Sequence, residues 1–137
     1  MTRVFVDTNV LLDVLLRREP FVLQSAAVLE LGSNGEVALY ASALSLVNCL
    51  YVGRKVVGYD EILGAVRKLR EFVKVSSMGA KEVDAALGGD VADAEDVMQY
   101  RSALAAGCKV LVTRNKKDFS FAKIPIYTPE EFCERYW

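Results

Sequence analysis

Short runs of apolar, mostly β-branched or aromatic residues alternate with segments of helical periodicity along this chain of 137 residues. Such runs are typical of buried strands, and helices between successive strands favour parallel pairing. The predicted strands cover residues 4–6, 36–40, 72–75, 109–112 and 124–127. The alternation predicts an α/β fold: a three-layer α/β/α sandwich with a mostly parallel central sheet of four to five strands.

Residues that start and stop helices lie between the predicted strands. Ser42 and Asp93 are suited to cap the helices that follow them, and Gly107 is suited to end the helix that Asp93 begins. Thr128 and Glu131 have the spacing of a capping box, which predicts a last helix. Further helices are expected at residues 10–16, 20–31, 59–70 and 79–87.

The pattern runs through the chain without a repeat, a low-complexity tract or a linker, so residues 1–137 are expected to form one domain. Residues 37–53 carry no charge and approach the shortest length of a membrane span. Because Ser42, Ser45 and Asn48 interrupt them, we expect a buried strand and helix there and no membrane association. The start of the chain shows no signal-peptide pattern.

The chain contains no histidine. This excludes histidine acid–base catalysis, Ser-His-Asp and Cys-His nucleophile systems, and metal sites that need imidazole. The three cysteines, Cys49, Cys108 and Cys133, are far apart and form no C-x-x-C pair, so neither a zinc cluster nor a disulfide framework is predicted. The expected location is the reducing cytoplasm.

Acidic residues are placed where several strands and helices of the predicted fold meet. Asp7 directly follows the first strand, Asp93 and Asp96 begin the helix before the fourth strand, and Asp118 lies in the loop after the fourth strand. In open parallel sheets, ligands bind beyond the carboxyl ends of the strands. Three separate segments are therefore expected to bring carboxylates to one edge of the sheet.

Carboxylates that crowd together raise one another's pKa unless a cation neutralises them. A site of oxygen ligands without His or Cys suits Mg²⁺ or Mn²⁺. Such a cation lowers the pKa of a bound water, places it for attack on phosphorus and stabilises the leaving oxygen. The acidic residues therefore predict metal-dependent phosphate chemistry that needs no histidine.

Each of these carboxylates also has a purely structural interpretation. Asp93 is a good helix cap, and Asp96 lies in a first helical turn, where the helix dipole favours negative charge. Asp7 is suited to cap the helix after the first strand, and Asp118 is suited to a turn. The combination of all four is stronger evidence for a site than any one of them.

The formal net charge is -1, with 17 Lys and Arg against 18 Asp and Glu. An anionic partner must therefore be bound by a local cluster of positive charge. Arg114, Lys116 and Lys117 lie beside Asp118 in the sequence. We expect these three residues to contact the phosphates of a substrate.

Three sequence blocks occur in the order that one nuclease family shows. They are VFVDTNVLLD from Val4, AEDVMQYRSALAAGC from Ala94 and VTRNKKDF from Val112. Together these blocks resemble the PIN domain family, and the similarity covers nearly the whole chain, the middle third mainly by pattern. The resemblance implies a parallel-sheet nuclease fold whose acidic cluster binds Mg²⁺ or Mn²⁺ and hydrolyses RNA.

The resemblance also implies roles for individual residues. By position, Asp7 corresponds to the metal ligand after the first strand, Asp96 to the ligand at the helix start and Asp118 to a ligand from the last loop. Thr8 and Thr113 would be supporting hydroxyls. Beyond the resemblance, we expect Asp93 to add a carboxylate near the same site as an additional or water-mediated ligand.

The family also suggests partners. Many small bacterial members are toxins of toxin–antitoxin pairs, and an antitoxin covers the groove of the active site. Members often form homodimers through apolar helices, which would give residues 37–53 a second use as a dimer surface.

Two positions depart from the family pattern. Asn48 stands where Glu is common on the helix after the second strand, and Asn115 stands where Asp is common after the fourth. An asparagine ligates through its carbonyl oxygen but supplies no charge. Our leading hypothesis is a metal-dependent endoribonuclease in which Asn48 and Asn115 orient ligands.

Two alternatives belong to other classes of protein. The first is a catalytically weakened PIN-like module that binds RNA or a protein partner, which the two asparagines favour. The second is a phosphatase or phosphotransferase with Asp7 as its nucleophile. The second is disfavoured because Asn9 stands two residues on, where a second Asp would be needed.

Overall fold

The computed structural model describes residues 1–89 and 93–136 of the chain. Within them, five strands form one sheet: β1 (Arg3–Val6), β2 (Ala38–Ser42), β3 (Val73–Ser76), β4 (Val110–Val112) and β5 (Ile126–Tyr127). Their order across the sheet is β3-β2-β1-β4-β5, and every neighbouring pair is parallel. The predicted parallel α/β fold is confirmed.

Helices connect the strands and pack on the sheet. In the described part of the chain they are α1 (Thr8–Leu15), α2 (Val22–Ser33), α3 (Ala43–Val57), α4 (Tyr59–Leu69), α5 (Ala80–Leu87), α6 (Ala94–Ala105) and α7 (Pro129–Tyr136), with a 3₁₀ helix at Lys116–Phe119. The uncharged segment 37–53 is divided between β2 and α3, as its sequence predicts. Among the described residues, no helix is long and apolar enough to cross a membrane.

The sheet separates two hydrophobic cores, because successive side chains of a strand point to opposite faces. In β1, Val4 and Val6 belong to the core formed with α1, α2, α3, α4 and α7. Phe5 belongs to the core formed with α6 and the 3₁₀ helix. All three side chains are fully buried. Both faces of the sheet are therefore covered, which explains why its strands are almost wholly apolar.

Four strands begin later than their apolar runs suggest, and β4 begins at Val110 and β5 at Ile126. For β2 and β3 the preceding helices give the reason. The amide of Glu36 donates to the carbonyl of Leu31 at 3.0 Å, and the amide of Phe72 donates to the carbonyl of Leu69 at 3.2 Å. Both amides are thus engaged in the turns that end α2 and α4, so they are not available to the sheet. β2 begins at Ala38 rather than at Glu36, and β3 begins at Val73 rather than at Phe72.

The predicted helix caps are present. The Ser42 hydroxyl accepts from the amide of Ser45 at 3.0 Å at the start of α3. Before α7, the amide of Thr128 donates to Glu131 at 2.9 Å and the amide of Glu131 donates back to the Thr128 hydroxyl at 3.2 Å. α2 begins at Val22, two residues after Pro20, and the 3₁₀ helix is a feature that apolar periodicity did not predict.

The position of β1 at the centre of the sheet determines where the site lies. β1 pairs with β2 on one side and with β4 on the other, so the order of the strands reverses next to it. The amide of Asp7 donates to the carbonyl of Val112 at 2.9 Å, which fixes Asp7 at the carboxyl end of both β1 and β4. Ligand sites of open α/β sheets lie at such a reversal.

Candidate active site

A cleft of about 300 Å³ lies at the carboxyl end of β1, between α1, α3, α6 and the 3₁₀ helix. We call it the acidic cleft, because four of its side chains are carboxylates. It is lined by Asp7, Thr8, Asn9, Leu12, Asn48, Val52, Glu95, Asp96, Gln99, Asn115 and Asp118. The structure thus brings Asp7, Asp96 and Asp118 together from three separate segments, with Thr8, Asn48 and Asn115 beside them.

Asp7 is held by two donors. The Thr113 hydroxyl donates to its Oδ2 at 2.8 Å, and the amide of Thr8 donates to its Oδ1 at 2.8 Å. Burial raises the pKa of Asp7 above its usual range, although these two hydrogen bonds lower it. Asp7 is therefore a rigidly placed carboxylate that the protein alone does not fully compensate, and Thr113 has the supporting contact that its position in the sequence suggested.

The first turn of α6 carries the next carboxylates. Asp93 is the N-cap residue, and its Oδ1 accepts from the amide of Glu95 at 2.9 Å. Asp96 faces the acidic cleft, whereas Asp93 is not among the residues that line it. Burial is the largest cause that raises the pKa of Asp96, followed by the charges of Asp118, Asp93, Asp7 and Glu95 in that order, and together they bring it to about 6.

The loop after β4 brings Asn115 and Asp118 to the cleft. The amide of Asn115 donates to the Thr113 hydroxyl at 3.1 Å, the same hydroxyl that donates to Asp7. The amide of Asp118 donates to the carbonyl of Asn115 at 3.0 Å as the 3₁₀ helix begins. These bonds connect Asp118 to Asp7 through three residues of one short loop.

A buried polar network lies behind the carboxylates. Gln99 Oε1 accepts from the hydroxyls of Ser42 at 2.6 Å and Ser45 at 3.3 Å, and the Ser45 hydroxyl lies 2.7 Å from that of Thr8. Gln99 is 2% exposed, and Ser42 and Ser45 are fully buried. The network joins α6 to β2, α3 and the start of α1, so it fixes three of the four elements between which the cleft lies.

We expect Gln99→Leu to lower the free energy of unfolding by about 1–3 kcal/mol, because it removes the acceptor of two buried hydroxyls. Urea denaturation measures this loss. Gln24→Leu, a change on an exposed residue of α2, is the control and should have a smaller effect. Equal losses for the two variants would show that the network does not stabilise the fold.

The sequence analysis missed three polar residues of the cleft: Asn9, Glu95 and Gln99. The apolar pattern of α1 and the run of acidic residues at α6 do not distinguish side chains that face the cleft from side chains that face solvent. The spacing of Asp96 and Gln99 was an available signal, because residues three apart share one face of a helix.

The predicted phosphate contacts have different environments. The structure corrects the prediction for Arg114: its Nε donates to Asp13 Oδ2 at 2.8 Å, its Nη2 donates to Asp13 Oδ1 at 3.2 Å, and its guanidinium lies 3.9 Å from the centre of the Phe21 ring. Asp13 is fully buried and needs a counter-charge, which holds Arg114 away from the cleft. Lys116 pairs with Glu131 on the surface at 3.0 Å, and Lys117 is exposed.

The raised pKa of Asp96 gives a pH dependence with a definite sign. Its pKa in the folded protein is about 6, against an ordinary value of 3.8, so the folded state holds the proton more tightly than the unfolded state. Without divalent cations, the contribution of Asp96 to stability is complete below pH 3.8 and is lost as the pH rises through about 6.

Melting temperatures measured between pH 7.5 and 5 without divalent cations test this expectation. We expect the wild type to gain stability towards the acid end of the range and Asp96→Asn to gain clearly less. The same gain in both proteins would mean that Asp96 is not the group responsible.

Comparison with known proteins identifies the family of this chain. The sequence profile of the PIN domain matches residues 3–117. The chain is 30% identical over 139 aligned positions to a protein of Aquifex aeolicus named ribonuclease VapC1, an alignment that covers 98% of this chain and 95% of that protein.

Solved structures of similar fold include a toxin–antitoxin complex from Klebsiella pneumoniae, with a TM-score of 0.67, 22% identity and coverage of 92% of this chain and 97% of that chain. Another is VapC20 of Mycobacterium tuberculosis, a toxin that cleaves the sarcin-ricin loop, with a TM-score of 0.66, 13% identity and coverage of 89% and 98%. At these identities the structures show a shared fold. The profile match and the alignment with VapC1 extend that likeness to the sequence blocks that carry the acidic cleft, and the chain belongs to the PIN domain family.

Proposed function

We propose that this protein is a divalent-metal-dependent endoribonuclease, the toxin of a toxin–antitoxin pair. The observation that carries the proposal is the acidic cleft, where Asp7, Asp96 and Asp118 meet at the carboxyl edge of the sheet. The likeness to ribonuclease VapC1 over nearly the whole chain supports RNA as the substrate class.

The donor set of the cleft fits Mg²⁺ or Mn²⁺. All of its ligating groups are oxygens. Burial and then the repulsion of neighbouring carboxylates raise the pKa of Asp96, and a cation would offset both effects. Asn9 Oδ1, also in the cleft wall, is buried and accepts no hydrogen bond from the described residues. An unused acceptor beside several carboxylates is suited to a ligand that brings positive charge or a donor.

The cleft is an open site rather than a closed cage. In residues 1–89 and 93–136, no group of three His, Cys, Asp or Glu side chains is close enough to enclose an ion. Mg²⁺ commonly keeps several waters and binds through one or two carboxylates and the phosphates of a substrate. We propose Asp7 and Asp96 as the principal ligands and Asp118 as an additional or water-mediated one.

When bound, the cation would supply Lewis-acid stabilisation of negative charge on a phosphate and would lower the pKa of a water molecule. The chain's own residues do the rest. Thr113 and the amide of Thr8 orient Asp7, and the network of Gln99 holds the walls of the cleft in place. Lys117 is placed one residue before Asp118 on the exposed 3₁₀ helix, where it can contact the phosphates of RNA.

Two kinds of protein partner are proposed. Related structures described as toxin–antitoxin complexes support an antitoxin, and an RNA substrate supports a cytoplasmic location. A homodimer is supported by α3, where Val47 is 60% exposed and Tyr51 is 56% exposed on one helical face. Light scattering of the purified protein determines whether it is a dimer.

The function is tested by incubating the purified protein with structured and single-stranded RNAs in Mn²⁺, in Mg²⁺ or in a chelator. We expect cleavage with either cation and none with the chelator. A folded protein that binds RNA but cleaves none of these substrates would support the weakened binding module instead. That module is the second candidate, because Asn48 and Asn115 place two uncharged amides in the cleft wall.

A further inference from the structure

The wall of the acidic cleft that α3 forms carries no negative charge. α3 (Ala43–Val57) contains no Asp or Glu, and Asn48 is its polar residue at the cleft. The Nδ2 of Asn48 donates to Oε1 of Glu95 at 3.1 Å, across 47 residues of sequence. The carboxylate on this side of the cleft therefore comes from α6 and is held by an amide from α3.

Both the backbone and the side chain of Glu95 are held by hydrogen bonds. Its amide donates to Asp93 at 2.9 Å, and its carboxylate accepts from Asn48. Its side chain lines the acidic cleft together with those of Asp7 and Asp96. Glu95 is thus near both principal carboxylates although it is adjacent to only one of them in the sequence.

A structural role alone does not account for this arrangement. An acidic residue in a first helical turn interacts favourably with the helix dipole from any exposed rotamer, and α6 already has Asp93 as its cap. Glu95 instead faces a cleft with three like charges. Its partner Asn48 is neutral, so the hydrogen bond to Oε1 holds the Glu95 side chain without neutralising its charge. Oε2 of Glu95 remains available for another ligand.

We propose that Glu95 is a further, water-mediated ligand of the divalent cation and that Asn48 is the positioning residue that holds it towards Asp7. This inference rests on the proposed metal-dependent function. It assigns two adjacent ligands, Glu95 and Asp96, to α6. It also gives Asn48 a role in metal binding, whereas the alternative of a weakened module interprets this asparagine as a sign of lost activity.

Calorimetric titration of the whole protein with Mn²⁺ tests the inference without RNA. Glu95→Gln keeps the acceptor for Asn48 and removes only the charge, and we expect it to weaken Mn²⁺ binding by at least about tenfold. Glu71→Gln changes an exposed carboxylate outside the cleft and should bind Mn²⁺ as the wild type does.

A swapped pair distinguishes the ligand role from a general effect of charge. Asn48→Glu combined with Glu95→Gln returns the carboxylate to the cleft from α3 and restores the hydrogen bond with its donor and acceptor exchanged. We expect this double variant to bind Mn²⁺ within about threefold of the wild type. Metal-free melting curves show that each variant is folded, and Glu95→Gln should not melt below the wild type, because it removes a like charge near Asp7 and Asp96.

The outcomes separate this inference from the function on which it rests. If Glu95→Gln and Glu71→Gln bind Mn²⁺ equally, the ligand role of Glu95 is wrong, whereas metal binding by the cleft stands. A double variant as weak as Glu95→Gln would refute the positioning role of Asn48. If the wild type binds no Mn²⁺ and cleaves no RNA, the proposed function fails together with the inference.

Discussion

Replacing Asp7 by Asn is expected to reduce RNA cleavage by about 10² to 10³-fold. The change keeps the size of the side chain and an oxygen that can accept from the amide of Thr8, but it removes the most buried charge of the acidic cleft. Loss of one preorganised electrostatic group in an active site has an effect of this order. Initial rates measured with saturating Mn²⁺ on one RNA give the ratio directly.

The control separates chemistry from folding. Burial disfavours the charged form of Asp7, so Asp7→Asn should unfold at no lower urea concentration than the metal-free wild type. Asp84→Asn removes an exposed carboxylate from α5 and should retain full activity. If Asp7→Asn is folded and cleaves RNA at the wild-type rate, the reaction takes place outside the acidic cleft.

Removing Arg114 is expected to cost about 3–5 kcal/mol of stability, because Asp13 would keep a buried charge without its ion pair. In the native protein Asp13 is fully buried and accepts two bonds from Arg114 and one from the Ser25 hydroxyl at 3.1 Å. In Arg114→Met, Asp13 would keep the hydrogen bond from Ser25 and lose both bonds from Arg114. Urea denaturation measures the difference in the free energy of unfolding.

A double-mutant cycle shows whether the loss comes from the unpaired charge. Asp13→Leu with Arg114→Met removes both charges and should recover most of the stability, since apolar side chains often replace a buried ion pair with little loss. Arg101→Met, on the exposed face of α6, controls for the loss of a positive charge. A loss below about 1 kcal/mol in Arg114→Met would show that solvent compensates Asp13.

This pair also affects the site, because Arg114 lies between Thr113 and Asn115. Thr113 donates to Asp7, and Asn115 lines the cleft. The ion pair with Asp13 ties their loop to α1, so it sets the position of both neighbours. The guanidinium that the sequence suggested for phosphate binding thus contributes to the site through its backbone.

Local patterns were sufficient to predict the frame of the molecule. The apolar run before Asp7 forms the central strand, and Ser42 caps α3, because strand burial and helix capping depend on residues that are close in sequence. The placement of Asp7, Asp96 and Asp118 at one edge followed from the parallel sheet, in which every carboxyl end faces the same way.

Contacts between distant residues could not be predicted in the same way. Arg114 and Asp13 are 101 residues apart, and nothing in either neighbourhood identifies the other as its partner. That both Glu95 and Asp96 face the cleft depends on the rotation of α6, which the buried network of Gln99 determines. Amide hydrogen bonds of Glu36 and Phe72 that end the preceding helices likewise decided where β2 and β3 begin.

We propose that the acidic cleft holds the divalent cation on which RNA cleavage depends. Anomalous diffraction from crystals grown with Mn²⁺ tests it most directly, because the ion is located by its own scattering. We expect a peak bound by Asp7 and at least one of Asp96 and Asp118, and no peak there in Asp7→Asn. Manganese bound elsewhere, or an empty cleft in crystals of protein that cleaves RNA with Mn²⁺, would contradict this account.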